Sequence, residues 1–346
     1  MTSYSCPLPI CHHTTVQLAH GSGGKLSADL IASMILPRFS NLALNRLNDQ
    51  AVLTLPPGRV AFSTDTYVVD PIFFPGGTIG DLAINGTIND VAMSGALPLF
   101  LSVGLVLEEG LPIETLDTVL RSMEQAILKA GVQVVTGDTK VVPRGKCDKI
   151  FINTSGLGVV PDGLDLDPCW IRPGDRVIVS GMIGDHGLAV LTSREKLSFA
   201  TEIESDTAAL HGLVTEMLGE SQKIRVLRDP TRGGVATSLN EFAAVAKLGI
   251  VVEERGLPVR SSVRSVCEVL GLDPLSVANE GKLLAVVAAE DAEQLLAVMR
   301  RHELGREARI IGEVVTDHPG LVALRTPLGV KRILEMPVAE QLPRIC

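Results

Sequence analysis

Aromatic residues are scarce: they make up 3% of the 346 residues, against a hydrophobic fraction of 46%. The core must therefore be built from Val, Ile, Leu and Ala. Basic charge is also short. The formal net charge of −9 argues against a nucleic-acid surface, because phosphate binding rests on Lys and Arg. Long apolar runs are missing too, and the stretch 99–107 is far too short to span a membrane. Residues 1–20 hold no Lys or Arg and no continuous apolar segment, so no secretory signal is expected. Six cysteines in a chain of this length do not form a disulfide-dense scaffold. These absences predict a soluble cytoplasmic protein with reduced thiols. The length allows two domains or one large one.

What is present gathers in a tail and a few short motifs. The last residue is Cys346, after Leu342-Pro343-Arg344-Ile345. From 337 onward two prolines discourage helix and strand. Fully extended, that segment spans up to roughly 30 Å at about 3.3 Å per residue. Such an arm suits a mobile carrier of a group bound to sulfur. A frayed terminus with an incidental cysteine is the plain alternative. At the other end, Cys6, Cys11, His12 and His13 form a cluster whose spacing matches no standard zinc module.

The stretch Gly21-Ser22-Gly23-Gly24-Lys25 fails the phosphate-loop pattern, since Ala19 stands at the first glycine and Leu26 follows the lysine. It reads as a hinge before a helix at 26–35, able to close over a nucleotide. Strands are expected at 48–55 and 59–64, and Asp65 ends the second where an oxygen can face a ligand. Residues 78–94 have helical periodicity, with Asp81, Asn85 and Asn89 on one face and Asp90 one position round. That stripe is either a solvent face or a set of oxygens for Mg²⁺-nucleotide. A strand at 132–136 places Gly137-Asp138-Thr139-Lys140 beyond its end, so Asp138 is read as a metal ligand and Lys140 as a contact to the reacting group. An ordinary charged turn is the other reading. Residues 161–173 look like a link to a second domain. There, Asp229-Pro230-Thr231-Arg232-Gly233-Gly234 opens a helix whose amides attract phosphate, a helix is expected at 206–218, and Asn279-Glu280-Gly281 precedes a buried strand. Glu280 is either structural or a positioned base.

Phe62-Ser63-Thr64-Asp65, Gly86-Thr87-Ile88-Asn89-Asp90, Gly137-Asp138-Thr139-Lys140, Thr231-Arg232-Gly233-Gly234, Asn279-Glu280-Gly281 and Pro343-Arg344-Ile345-Cys346 resemble, in this order, the hydrogenase maturation family HypE. His20-Gly21-Ser22-Gly23-Gly24 matches the family's glycine segment as well. The resemblance implies an α+β fold like that of aminoimidazole ribonucleotide synthetase. Its parts would be an extension (1–40), an ATP-binding and dimerisation domain (41–162), a second α+β domain (163–332) and a flexible tail (333–346). It implies a carbamoyl dehydratase in which the terminal cysteine is carbamoylated and the thiocarboxamide is dehydrated with ATP. Cys346, Lys140 and Glu280 are then catalytic. Asp65, Asn89, Asp90, Asp138, Thr139, Asp229 and Arg232 bind the nucleotide, and Asp65, Asp90 and Asp138 hold Mg²⁺. Asp81 departs from the family pattern and takes no role. The implied partners are the carbamoyltransferase HypF, the iron-bearing HypC–HypD complex and a second copy of the chain. The alternatives are a selenophosphate synthetase-like enzyme, although no cysteine lies in 21–25, and a non-enzymatic metal chaperone using the N-terminal cluster.

Overall fold

A computed structural model describes residues 13–197, 202–337 and 342–346. Cys6, Cys11 and His12 lie outside the described residues. The helix expected at 26–35 forms as Lys25–Leu30 (α1), which continues through a π-helical turn into Leu36–Phe39 (α2). The first half of the chain then runs Arg59–Tyr67 (β1), the short pair Phe73–Phe74 (β2) and Gly77–Thr78 (β3), Ile79–Met93 (α3), Leu97–Glu108 (β4), Ile113–Ala130 (α4), Gln133–Val142 (β5) and Ile150–Val160 (β6).

Four of these strands make one sheet in the order β1-β6-β4-β5. Only β4 and β5 are parallel, because α4 carries the chain back between them. Alternation along β4 sends Leu101, Val103, Leu105 and Leu107 into a core shared with Ile79 and Leu82 of α3 and Leu116, Leu120 and Met123 of α4. The opposite face is polar and open. Thr66, Asn153, Gly104 and Asp138 lie in one cross-strand row, and Thr64, Ser155 and Ser102 in the next. Thr64, Thr66, Asn153 and Asp138 are exposed, and Phe62 beside them is 70% exposed.

The second half contains Arg176–Val179 (β7), Asp185–Arg194 (α5), His211–Glu220 (α6), Ile224–Arg228 (β8), Gly234–Ala246 (α7), Gly249–Glu253 (β9), Ser261–Leu270 (α8), Leu284–Val287 (β10), Ala292–Arg301 (α9), Arg309–Val315 (β11), Val322–Arg325 (β12) and Lys331–Ile333 (β13). Its seven strands are ordered β13-β12-β9-β11-β7-β10-β8. Both faces of this sheet are covered. Val235, Leu239 and Phe242 of α7 pack on one side, and Leu213, Met217, Leu295 and Met299 of α6 and α9 on the other. Aliphatic layers thus replace aromatic anchors, and the mixed α+β fold is the one the sequence predicts.

Four local expectations differ from the structure. Residues 48–55 form no strand: 48–50 are exposed and only 51–55 alternate in burial, and β1, which ends the sheet, pairs with β6 alone. Residues 137–140 lie inside β5 rather than beyond it, because β4 supplies partners as far as Val142. The helix expected from 206 starts at His211, since the Asp206 carboxylate is engaged by the backbone amides of Glu280 and Gly281. The last five residues are packed rather than loose, with Leu342 and Ile345 buried in the first core.

Helix α3 is buried on nearly every side and forms the seam between the two halves. Asp81 closes a capping box with Thr78. Asn85 Nδ2 donates to Thr207 Oγ1 at 3.3 Å. Asn89 Nδ2 donates to the carbonyls of Ala208 (3.0 Å) and Glu280 (3.1 Å), and its Oδ1 accepts from the Leu210 amide (2.8 Å). The polar stripe therefore faces the second half of the chain rather than solvent, and fastens it to the first. Asn89→Ala strands the Ala208 carbonyl and the Leu210 amide, while the Glu280 carbonyl keeps the Ala208 amide; at about 1–3 kcal/mol for each unpaired group, stability should fall by about 2 kcal/mol or more. Urea unfolding checks this, and an unchanged midpoint would refute the seam.

Candidate active site

Two clefts and the docked tail take up the motifs. The first cleft, of about 250 Å³, is lined by Thr64, Asp65, Gly86, Asp90, Arg228, Asp229, Thr231, Arg232 and Glu280. Asp65 comes from β1 and Asp90 from the late turns of α3, where Ser63 Oγ donates to Asp90 Oδ2 at 2.7 Å. Asp229 directly follows β8, and Glu280 sits in the loop before β10. Gly233 and Gly234 both adopt positive φ at the start of α7. A Cβ on Gly233 would meet Thr237 Oγ1 at 2.1 Å, and one on Gly234 the Leu275 carbonyl at 2.6 Å, so only glycine fits here. No side chain caps α7 at Gly233; the Gly234 amide bonds the Thr231 carbonyl at 2.9 Å, and Thr231 and Arg232 just before the helix line the cleft, a helix start of the kind suited to phosphate.

Electrostatics in this cleft favour a cation. Glu280 is 3% exposed, and its Oε1 has no hydrogen-bond partner. Burial, then the charges of Asp229, Asp206, Asp65 and Asp90, push its carboxyl well above the usual range. Burial and the neighbouring Asp90 push Asp229 up to about 7. Burial also raises Asp90, against the pull of its bond from Ser63. Among the described residues, no three carboxylate, His or Cys side chains converge into a metal cage. One or two carboxylates beside phosphate oxygens is how Mg²⁺ is usually held, and Asp65 and Asp90 fit that pattern. Arg228 and Arg232 are placed for anionic oxygens.

The second cleft, of about 390 Å³, lies between the glycine segment and β5. His20, Gly21 and Gly23 line one end, Ile31, Leu36, Phe39 and Leu44 the floor, and Asp138, Thr139 and Lys140 the rim. Lys140 Nζ pairs with Asp138 at 3.0 Å, and its hydrogen bond, against a small burial cost, holds the Asp138 carboxyl below the usual range. Asp65, Thr154, Val103 and Gly137 form one row across the sheet. Asp65 and β5 thus stand three strands apart, roughly 14 Å at about 4.8 Å per strand. Within one chain, Asp138, Thr139 and Lys140 do not join Asp65, Asp90, Asp229, Arg232 and Glu280. Asn89 joins neither set.

The tail docks against the residues that follow β1. The Cys346 carbonyl accepts from the Val68 amide at 3.0 Å and the Arg344 carbonyl from the Asp70 amide at 3.3 Å. Arg344 returns a bond from Nε to the Val68 carbonyl (3.0 Å) and one from Nη1 to Asp148 (2.7 Å). Cys346 is half-buried, on the continuation of the strand that carries Asp65.

Residues 47–160 match the family described as AIR synthase related protein, N-terminal domain, and residues 172–323 its C-terminal domain. The chain is 54% identical to the carbamoyl dehydratase HypE of Azotobacter vinelandii, an alignment covering 96% of this chain and 97% of the relative. This chain belongs to the HypE family. A crystal structure of the hydrogenase maturation protein HypE in complex with ATP superposes with a TM-score of 0.93 at 50% identity, covering 96% of this chain and 100% of that one. A HypE–HypF complex superposes with a TM-score of 0.79 at 46% identity, covering 89% and 99%. The HypE motifs quoted from the sequence thus sort into a cleft of buried acids, a cleft under the glycine segment, and a tail. Sequence reasoning missed Arg228, which adjoins the Asp229 motif, and the tail's contacts on α5, which carry no motif.

Proposed function

We propose that this chain dehydrates a carbamoyl group carried on Cys346, using ATP, to a thiocyanate that supplies the cyanide ligand of the [NiFe]-hydrogenase iron centre. One observation carries the reading: Glu280, buried with its Oε1 unpartnered, shares a cleft with Asp65, on the strand whose continuation seats Cys346. An amide oxygen is a poor leaving group. Its attack on the γ-phosphorus releases ADP and makes the oxygen part of a phosphate. Breaking the C–O bond then expels phosphate as the nitrogen gives up its second proton, and C≡N forms. The net change is thiocarboxamide plus ATP to thiocyanate, ADP and phosphate, with one N–H proton retained on phosphate and the other passing to solvent. Glu280 accepts a proton from nitrogen. Arg232 and the α7 amides orient phosphate oxygens. Asp65 and Asp90 would hold Mg²⁺, which when bound neutralises phosphate charge.

Lys140, Asp138 and Thr139 belong to the same reaction through a second copy. The open face of the four-stranded sheet, with exposed Phe62 on its edge strand β1, suits an identical sheet. In such a homodimer the β5 rim of one protomer approaches the acid cleft of the other, and Lys140 stabilises the carbamoyl oxygen or the transferring phosphoryl group. HypF supplies the carbamoyl group, in keeping with the HypE–HypF complex, and the HypC–HypD complex takes the cyanide. The reaction is set in the cytoplasm. Mass spectrometry of the carbamoylated full chain with Mg-ATP tests this reading. Loss of one water from the C-terminal peptide, dependent on ATP, is the expected result; ATP turnover without that loss would overturn it.

A further inference from the structure

We propose that His186 is a positioning residue that ties the seat of the tail to the loop carrying Glu280. The proposal rests on Cys346 being the carrier. His186 lies in the first turn of α5 and is fully buried. Its Nε2 is 2.7 Å from the Ile345 carbonyl and its Nδ1 is 2.8 Å from Ser205 Oγ. A carbonyl only accepts, so Nε2 carries the proton. Ser205 Oγ accepts from the Thr207 amide at 3.2 Å, which leaves its hydroxyl proton for Nδ1. The neutral imidazole therefore satisfies every partner. Burial, against Asp206 and the Ile345 carbonyl, lowers its pKa and keeps it neutral.

The link continues along the chain from Ser205. The Asp206 carboxylate accepts from the Glu280 amide (3.1 Å), the Gly281 amide (3.3 Å) and Lys282 Nζ (3.1 Å). Burial pushes that carboxyl up, but Lys282 and the Glu280 amide prevail and hold it below the usual range. A Cβ on Gly281 would lie 1.7 Å from the Asp206 carbonyl, so the loop is pressed onto this segment. Tail, imidazole, Ser205, Asp206 and the Glu280 loop thus form one connected path. At the far end of α5, Arg194 donates to the carbonyls of Pro343 (2.6 Å), Arg344 and Asp70 (2.6 Å). One helix grips three successive tail carbonyls, at 343, 344 and 345. Arg194 ties the tail to Asp70 after β1, whereas His186 ties it to the segment under Glu280. Its consequence is that the thiol and its base are placed in register by main-chain contacts, whatever the sulfur carries.

His186→Asn and His186→Gln in the full chain separate the two contacts. The asparagine amide reproduces the Nδ1 side and falls short of Ile345; the glutamine amide reaches it. Two readings are taken on each variant: the rate at which iodoacetamide alkylates Cys346, followed on the C-terminal peptide, and single-turnover conversion of carbamoylated protein. Loss of one buried bond predicts about a tenfold faster alkylation and about a tenfold slower conversion for His186→Asn. ATP affinity should be unchanged, and His186→Gln, which keeps the Ile345 bond but loses the one to Ser205, should shift both rates in the same direction by less than His186→Asn. Parent rates in His186→Asn, or an equal loss of ATP affinity, would overturn the proposal. If His186→Asn does not fold, Ser205→Ala leaves the ring in place and should shift both rates in the same direction; no shift would overturn it too. If the parent itself converts no carbamoyl group, the carrier reading fails, while alkylation still reports on the seat.

Discussion

Cys346→Ser should bind ATP as the parent does and form no thiocyanate, a loss of at least about 10³-fold because the nucleophile itself is removed. A thiol is partly ionised near neutral pH and accepts an acyl group readily; a serine hydroxyl is not and does not. The substitution changes one atom in a half-buried side chain. The tail is held through the carbonyls of 343–346 and the Arg344 side chain, so the seat should survive. Carbamoyl transfer to the C-terminal peptide and its ATP-dependent loss of water are the measurements. A serine variant that still yields the dehydrated product would move the carrier elsewhere.

Glu280→Gln is the second large effect. Burial and four neighbouring carboxylates raise the proton affinity of this carboxyl, which suits a proton acceptor once a cation in the cleft offsets those charges, and a glutamine amide has nearly its shape. The Asn89 and Asp206 contacts in the Glu280 loop use its backbone, not its carboxyl. Melting temperature and ATP affinity should therefore stay close to the parent. A glutamine cannot accept the nitrogen proton, so conversion should fall by about 10²–10⁴-fold, the range for losing a general base. Single-turnover mass spectrometry with carbamoylated protein measures it. Parent-like conversion would remove Glu280 from the proton path and leave water or phosphate as the acceptor.

The motif residues differ in how much of their surroundings the chain order discloses. Asp65 was expected just past a strand ending at 64, but pairing with β6 carries β1 on to Tyr67 and puts Asp65 inside it; Asp229 was readable from its own motif, and the strand β8 before it was not. Thr231-Arg232-Gly233-Gly234 was readable because positive φ at a helix start demands glycine. Asn89 was expected at the nucleotide, and its side-chain amide is taken up by main-chain groups. Helical spacing correctly put Asp81, Asn85 and Asn89 on one face, but spacing carries no information on what that face meets. It meets the backbone of 207–210 and of Glu280. Asp138 and Lys140 were placed beyond a strand because the β-branched run stops at Thr136. Pairing with β4 extends that strand, since ladder bonds outweigh the local cost of a glycine.

The amino-acid order alone determined the aliphatic core, the two α+β halves and the identity of the acids, because these follow from side-chain type and local periodicity. Only the tertiary structure decided which acids share a cleft, that β5 stands three strands from Asp65, and that the tail rests on α5. Those are contacts between residues as many as 276 positions apart. They arise from sheet order and helix packing, and such long-range pairings leave no periodic trace in the chain.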